Sequence, residues 1–333
     1  MHMADALLSP VIGGTFWAVS AGLISWSARR VTDESDSSKT VLMGVLGSFV
    51  FAAQMINFTI PGTGSSGHIG GGLLLAVLLG PWRAFITLAS VLVIQALFFA
   101  DGGLLALGCN IFNMAFFPAF VAWPFIYRPV AGEGRSPVRL AAGCVSAATA
   151  GLLMGALSVV IQTTLSGISD LPLHTFTLFM LPVHAVIGIV EGVLTWGVLA
   201  MVSKTDPSLL SGAGTKSKRR GVATAILVAS LAIGGLLSWF ASPLPDGLEW
   251  AISKVAGAKE LRPSPEPVHA YLSSLQQRIA PLPDYGFRAR PSSGNREYAG
   301  TTFSGIVGSL LLLGLAGSAG LLMRRHRSKD EQQ

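Results

Sequence analysis

Met180-Leu-Pro-Val-His184-Ala-Val-Ile-Gly188-Ile-Val-Glu191-Gly192-Val-Leu-Thr-Trp-Gly-Val-Leu-Ala-Met-Val202 decides the fold. At about 1.5 Å per residue, an apolar run of this length crosses about 30 Å of hydrocarbon as one helix. His184 and Glu191 interrupt it two helical turns apart, so they share a face. Gly188 and Gly192 make a small-residue face suited to close helix packing. A charge at mid-membrane costs a few kcal/mol, so Glu191 is expected to be protonated or paired with a neighbouring helix. His184 and Glu191 are therefore structural or proton-site candidates.

The same pattern recurs along the chain. Only 12% of the 333 residues are charged and 51% are hydrophobic, against roughly a quarter charged in soluble proteins. This is an integral membrane protein, and helices are the expected spanning elements because they satisfy their own backbone. Candidate spans are 8–28, 41–60, 69–80, 84–100, 108–127, 138–165, 180–202, 221–240 and 303–323. The third is too short to cross unaided, so it extends into the preceding loop or is covered by protein. The fold class is an all-α polytopic bundle of about seven spans plus a two-helix C-terminal module. Residues 7–28 lack a basic n-region and an obvious cleavage site, and read as the first span rather than a signal sequence. Gly151 and Gly155 repeat the small-residue spacing. Cys109 and Cys144 sit in apolar runs without metal-type spacing and read as small hydrophobes.

Basic residues fall at alternate ends of these spans: Arg29, Arg30 and Lys39; Arg83; Arg128, Arg135 and Arg139; Lys204 to Arg220; Arg324, Arg325 and Arg327. The positive-inside rule places all of them in the cytoplasm. Nine spans then put the N-terminus outside with 61–68, 101–107, 166–179 and 241–302, and the C-terminal tail inside. The expected location is the cytoplasmic (inner) membrane. The net charge of +6 is scattered over span ends and implies no nucleic acid.

The chain starts Met1-His2. The α-amine, the deprotonated His2 amide and the imidazole Nδ1 form a planar nitrogen set suited to Ni(II) or Cu(II), with a fourth position open. Met1 is expected to be retained, because imidazole is too large a second side chain for the processing aminopeptidase. On the same side lies Pro61-Gly-Thr-Gly-Ser-Ser-Gly-His68-Ile-Gly-Gly-Gly72, whose glycines permit close approach. His68 is the candidate fourth donor; the bland alternative is an ordinary loop histidine. The G-x-G-x-x-G match in this loop lacks a βαβ context and is discarded. Asn57, Asn110 and Asn113 lie at outer span ends. Asn110 and Asn113 share a helix face and either support the metal loop, fixing its imidazole tautomer, or bind helices together. Pro245-Asp-Gly-Leu-Glu249 reads as a helix start with Asp246 as N-cap and Glu249 at N3, running to about Ala256.

Together, Met1-His2, Asn57-Phe58, Gly67-His68, Asp101-Gly-Gly-Leu-Leu-Ala-Leu-Gly-Cys-Asn-Ile-Phe-Asn113, and His184 with Glu191-Gly192 resemble the CbiM/NikM family over residues 1–203. These are substrate-capture components of energy-coupling factor (ECF) ABC transporters for cobalt and nickel. The tail resembles the PDGLE module fused to some of them. The resemblance implies a metal-capture domain at 1–203, a cytoplasmic linker at 204–220, a PDGLE-like module at 221–323 with an external segment at 241–302, and a tail at 324–333. It implies Co²⁺ or Ni²⁺ as transported ligand rather than cofactor, held by Met1, His2 and His68, and a transmembrane coupling subunit and cytoplasmic ATPase subunits as partners. Two positions depart from the family pattern: Met3-Ala-Asp-Ala stands for the commoner Ile-Pro-Asp-Gly, and Cys109 for a small residue such as Ala. No Gly-x-x-x-x-Gly-Lys-Ser/Thr phosphate loop occurs in the chain, so the chain is not expected to be an enzyme and ATP hydrolysis is expected from a partner. The alternative is a stand-alone proton-coupled secondary carrier using Glu191. A membrane metalloenzyme fits less well, because the candidate donors fill all four positions.

Overall fold

The structure, a computed structural model, describes residues 1–33, 37–132, 136–205, 216–257, 267–288 and 295–330. Arg135, most of the 204–220 linker, and parts of the 241–302 segment and the 324–333 tail lie outside the described residues. Helices dominate: α1 (Pro10–Asp33), α2 (Ser37–Gln54), α3 (Gly72–Leu79), α4 (Pro81–Phe98), α5 (Leu107–Ile111), a π-helical stretch (Phe112–Tyr127), α6 (Arg128–Ala131), α7 (Pro137–Ser166) and α8 (Leu173–Thr205). The C-terminal part adds α9 (Lys216–Gly235), α10 (Gly247–Ala256), α11 (Pro267–Ile279) and α12 (Asn295–Asp330). Among the described residues, six helices are long and apolar enough to cross a membrane, and Lys39–Gln54 and Gly221–Gly235 are shorter apolar helices. The protein is an all-α multi-pass membrane bundle.

Close packing explains the glycine spacing. A methyl on Gly188 would lie 2.6 Å from the Thr149 Cα, and one on Gly192 would collide with the Val145 backbone. Helices α7 and α8 therefore meet backbone to backbone, as dispersion-driven association in lipid favours. Gly155 lets α7 close on the Asn113 carbonyl. Cys109 and Cys144 are both buried and free. The C-terminal helices α9 and α12 pack against α2, where the Phe51 ring sits over Gly308 and Ser48 donates to the Ser309 carbonyl.

Several boundaries differ from the sequence reading. The second span ends at Gln54 instead of running to residue 60. Beyond it, β1 (Phe58–Ile60) and β2 (Ser65–Gly67) form an antiparallel hairpin with Thr59 opposite Ser66. Pro61 ends the strand, and Gly62 and Gly64 take the positive φ values its turn requires. The seventh span starts at Leu173, so the loop expected at 166–179 is shorter and Pro182 lies inside the helix. Pro118 and Pro124 remove donors from the fifth span, which winds as a π-helix there. Arg83, expected at an aqueous flank, is buried at the start of α4.

The third crossing is composite. Helix α3 has eight residues and spans only about 12 Å. The extended segment Ile69–Gly71 supplies the remainder. His68 sits beside Met1 at one end, Gly70 and Gly71 reach Glu191 midway along α8, and Gly72 abuts Pro118. At the other end Trp82 meets Trp26 and lies under the Arg30 guanidinium. Irregular backbone at such depth is tolerated where protein encloses it.

Candidate metal centre

Residues 101–113 grip the chain start. The Met3 amide donates to Asn110 Oδ1 at 2.8 Å. Its carbonyl accepts from Asn110 Nδ2 at 3.2 Å and from the Gly103 amide at 2.9 Å. Asp5 Oδ1 accepts from the Ala106 amide at 3.0 Å. Asn113 pairs with Gln162 through both amide groups and touches the Met3 sulfur. The two asparagines therefore hold Met3. Of the two sequence readings, support of the metal loop or a bond between helices, the Asn113–Gln162 pair is of the second kind, and Asn113 also lines a small cavity with Met1 and His68.

His68 is placed by the loop itself. His68 Nδ1 lies 3.2 Å from the Ile69 carbonyl. A carbonyl can only accept, so Nδ1 carries the proton and Nε2 keeps its lone pair. Nε2 points at the Met1 nitrogen, 3.4 Å away. Glu191 secures the next two residues, accepting from the Gly70 amide at 2.7 Å and the Gly71 amide at 3.0 Å. His184, one face with Glu191, donates Nδ1–H to the Met180 carbonyl at 2.8 Å. It lines a small cavity with Met1 and His68.

The His2 tautomer can be read from a chain of amides. Gln54 Nε2 donates to the Gly70 carbonyl at 2.8 Å. Its Oε1 therefore accepts from Gln95 Nε2, also at 2.8 Å. Gln95 Oε1 must then accept from His2 Nε2, at 3.1 Å. A fixed carbonyl at one end thus orients every group up to the ring. Nε2 holds the His2 proton and Nδ1 is left as the free donor atom. That is the atom a chelate with the Met1 amine and the His2 amide would use. Nδ1 lies 3.4 Å from Asp101 Oδ1, whose other oxygen accepts from the Tyr285 hydroxyl at 2.6 Å.

Asp246 completes the cluster. Its Oδ2 accepts from the Met1 amine at 2.7 Å. Its Oδ1 accepts from the Glu249 amide, and the Glu249 carboxylate accepts from the Asp246 amide, a full capping box on α10. The helix runs Gly247–Ala256 and burying Leu248 and Ile252 seats it. Burial alone would raise the Asp246 pKa, but the Met1 ammonium and the Glu249 amide hold it well below the usual carboxylate range. Burial, and then the nearby ammonium, lowers His68 to about 3. Burial also lowers His2, against the pull of Asp101. The imidazoles are thus held neutral, the form that binds metal. Their rings stack with centroids 5.4 Å apart. An open cavity of about 1350 Å³ leads to His2, His68 and Asp246 past Asn57, Asp101 and Glu249.

Residues 2–209 match the family described as "Cobalt uptake substrate-specific transmembrane region", CbiM, and residues 220–325 match the PDGLE domain. The chain belongs to the CbiM family. A relative from Archaeoglobus fulgidus, "Putative fused nickel transport protein NikMN", is 32% identical over 95% of this chain and 96% of its own length. "Fused nickel transport protein NikMN" of Rhodobacter capsulatus is 28% identical over 96% and 98%. A solved structure described as "Crystal Structure of an Truncated Transition metal Transporter" matches with TM-score 0.54 and 32% identity, covering 61% of this chain and 99% of that one.

Within this CbiM-family chain, the structure brings Met1, His2 and His68 together at one end of the bundle. Asn57 lines the cavity above them and offers its carbonyl to the Ser242 amide. Cys109 lines neither cavity. Three residues were missed by the sequence reading: Gln54, Gln95 and Asp246. The glutamines carried a usable signal, since amides inside apolar spans are costly in lipid and need partners. Asp246 was recognised as a cap, and nothing local linked it to Met1.

Proposed function

We propose that this chain is the membrane substrate-binding component of an ECF-type ABC uptake transporter for divalent cobalt or nickel. The Met1 amine, the His2 amide and Nδ1, and His68 Nε2 capture the ion. The observation that carries this reading is the paired tautomer setting: Ile69 and the glutamine chain leave a lone pair on one nitrogen of each imidazole, beside the Met1 amine. Planar nitrogen coordination leans toward nickel in intrinsic chemistry, and metal supply can override that. The reading places residues 1–203 as the capture domain, 204–220 as a cytoplasmic linker and 221–323 as a covering module with its 241–302 segment outside. The N-terminus faces outward across the inner membrane and the C-terminus faces the cytoplasm.

A coupling subunit and ATPase subunits drive release, because this chain has no phosphate loop and its donors enclose the ion. The rival reading, a lone proton-coupled carrier, needs Glu191 free to exchange protons, whereas its two oxygens each hold a backbone amide. In reconstituted vesicles the lone chain binds metal with little net uptake, and adding coupling and ATPase subunits with ATP produces accumulation. Sustained proton-driven accumulation by the lone chain, lost in Glu191→Gln, would reverse this choice.

A further inference from the structure

We propose that Asp246 is itself a metal ligand, an axial fifth donor supplied to the nitrogen centre by the PDGLE segment. The inference rests on the capture site proposed above and adds a donor from a different part of the chain. Two neighbouring donors on one divalent ion, each at about 2.0–2.2 Å, lie about 2.9 Å apart. Asp246 Oδ2 is 2.7 Å from the Met1 nitrogen and His68 Nε2 is 3.4 Å from it. Small shifts bring both to the spacing of adjacent ligands on one ion.

The carboxylate is also aimed and restrained. Its Oδ1 is occupied by the Glu249 amide at 2.8 Å, which leaves Oδ2 as the oxygen that meets the Met1 nitrogen. Ser66 donates its amide to the Pro245 carbonyl at 2.8 Å and its hydroxyl to the Leu244 carbonyl at 2.7 Å. The strand that precedes His68 therefore carries Asp246 with it. Trp250 Nε1 donates to the Thr63 carbonyl at 2.9 Å and secures α10 over the same hairpin. A methyl on Gly247 would lie 3.1 Å from His184, so the segment is seated against α8. Met1, His68, His184 and Asp246 line a cavity of about 20 Å³, on the scale of one water molecule.

Charge supplies the reason for a fifth donor. On binding, the amine and the His2 amide each lose one proton to solvent. A divalent ion with one anionic amide keeps a net single positive charge, which is costly to bury without a carboxylate beside it. Asp101 flanks the His2 ring, and Asp246 is the carboxylate on the Met1 nitrogen. One carboxylate neutralises that charge. Before metal arrives, the same carboxylate pairs with the Met1 ammonium, so it exchanges a proton-bearing partner for a metal ion without moving far.

The test uses the purified full chain with Ni²⁺ as probe. Four planar nitrogens give diamagnetic nickel, and a bound axial oxygen gives paramagnetic five-coordinate nickel. The wild type is expected to be paramagnetic. Asp246→Asn and Asp246→Ser both keep an N-cap, and both are expected to shift the bound nickel toward the diamagnetic planar form and to weaken affinity by about 10–100-fold. Unchanged magnetism in both variants overturns the proposal, as does diamagnetic nickel in the wild type. His68→Ala separates this failure from that of the site itself: if the wild type binds no nickel, or His68→Ala binds as tightly as wild type, the nitrogen centre is wrong.

Discussion

Two regions hold the start of this chain, and they hold it differently. Residues 102–113 grip Met3 and Asp5 through backbone groups and the Asn110 amide, while the neighbouring Asp101 carboxylate lies 3.4 Å from His2 Nδ1. Residues 244–249 touch the Met1 amine through one carboxylate. The first grip, on Met3 and Asp5, falls on residues that supply no proposed ligand. The second engages a proposed donor directly, so on that proposal it changes when metal binds. Position and occupancy are thus handled by separate parts of the sequence, one inside the CbiM match and one inside the PDGLE match.

The largest effect should come from adding one residue before Met1. The α-amine moves out of register while Met3 stays pinned, so nickel binding measured by calorimetry should be lost with the fold intact. Normal binding by the extended protein would remove the chelate from consideration. Asn110→Ala attacks the other grip. It leaves the buried amide of Met3 without its partner, at about 1–3 kcal/mol, and should weaken binding by about 10–100-fold. An unchanged affinity would show that the Gly103 and Asp5 contacts suffice alone.

Glu191→Gln should cost less. The glutamine oxygen can still accept one of the two glycine amides, so a lowered melting temperature of a few degrees and a several-fold loss of affinity are expected. The smallest effect concerns pH and the metal-free protein. Burial lowers both His2 and His68, the latter to about 3, so below about pH 6.5 the unfolded chain binds protons the folded chain refuses. Stability should fall as pH drops from 7 toward 5 in melting experiments, and His2→Ala combined with His68→Ala should flatten that slope.

The all-α membrane fold was legible because it depends on local composition, and Met1, His2 and His68, which the structure brings together, could be nominated from the chain start and the glycine-rich loop. The capping box from Asp246 to Glu249 was legible for the same reason, being a four-residue pattern. The Met1–Asp246 ion pair was not, since its partners are 245 positions apart and no periodicity links them. The first strand of the hairpin, Phe58–Ile60, was hidden at the end of an apolar run that the membrane reading extended as helix, and the second, Ser65–Gly67, lay in what read as an external loop. Gln54 and Gln95 were passed over although the reasoning applied to Asn57, Asn110 and Asn113 covers them equally. The sequence leaves Asn113 between two partners, because sharing a face with Asn110 does not say which chain segment that face meets; Gln162 is the side chain it pairs with.

The descent of Ile69–Gly71 through the bundle has its own consequence. This short piece of irregular chain is recognised by its surroundings as a docked peptide would be: Glu191 receives two of its amides and Gln54 one of its carbonyls. Slow amide exchange ordinarily marks helices and sheets, yet the Gly70 and Gly71 amides, outside both, are expected to exchange slowly because the buried Glu191 carboxylate holds them. The proposed metal centre hangs from a segment that the protein binds as if it were its own first ligand.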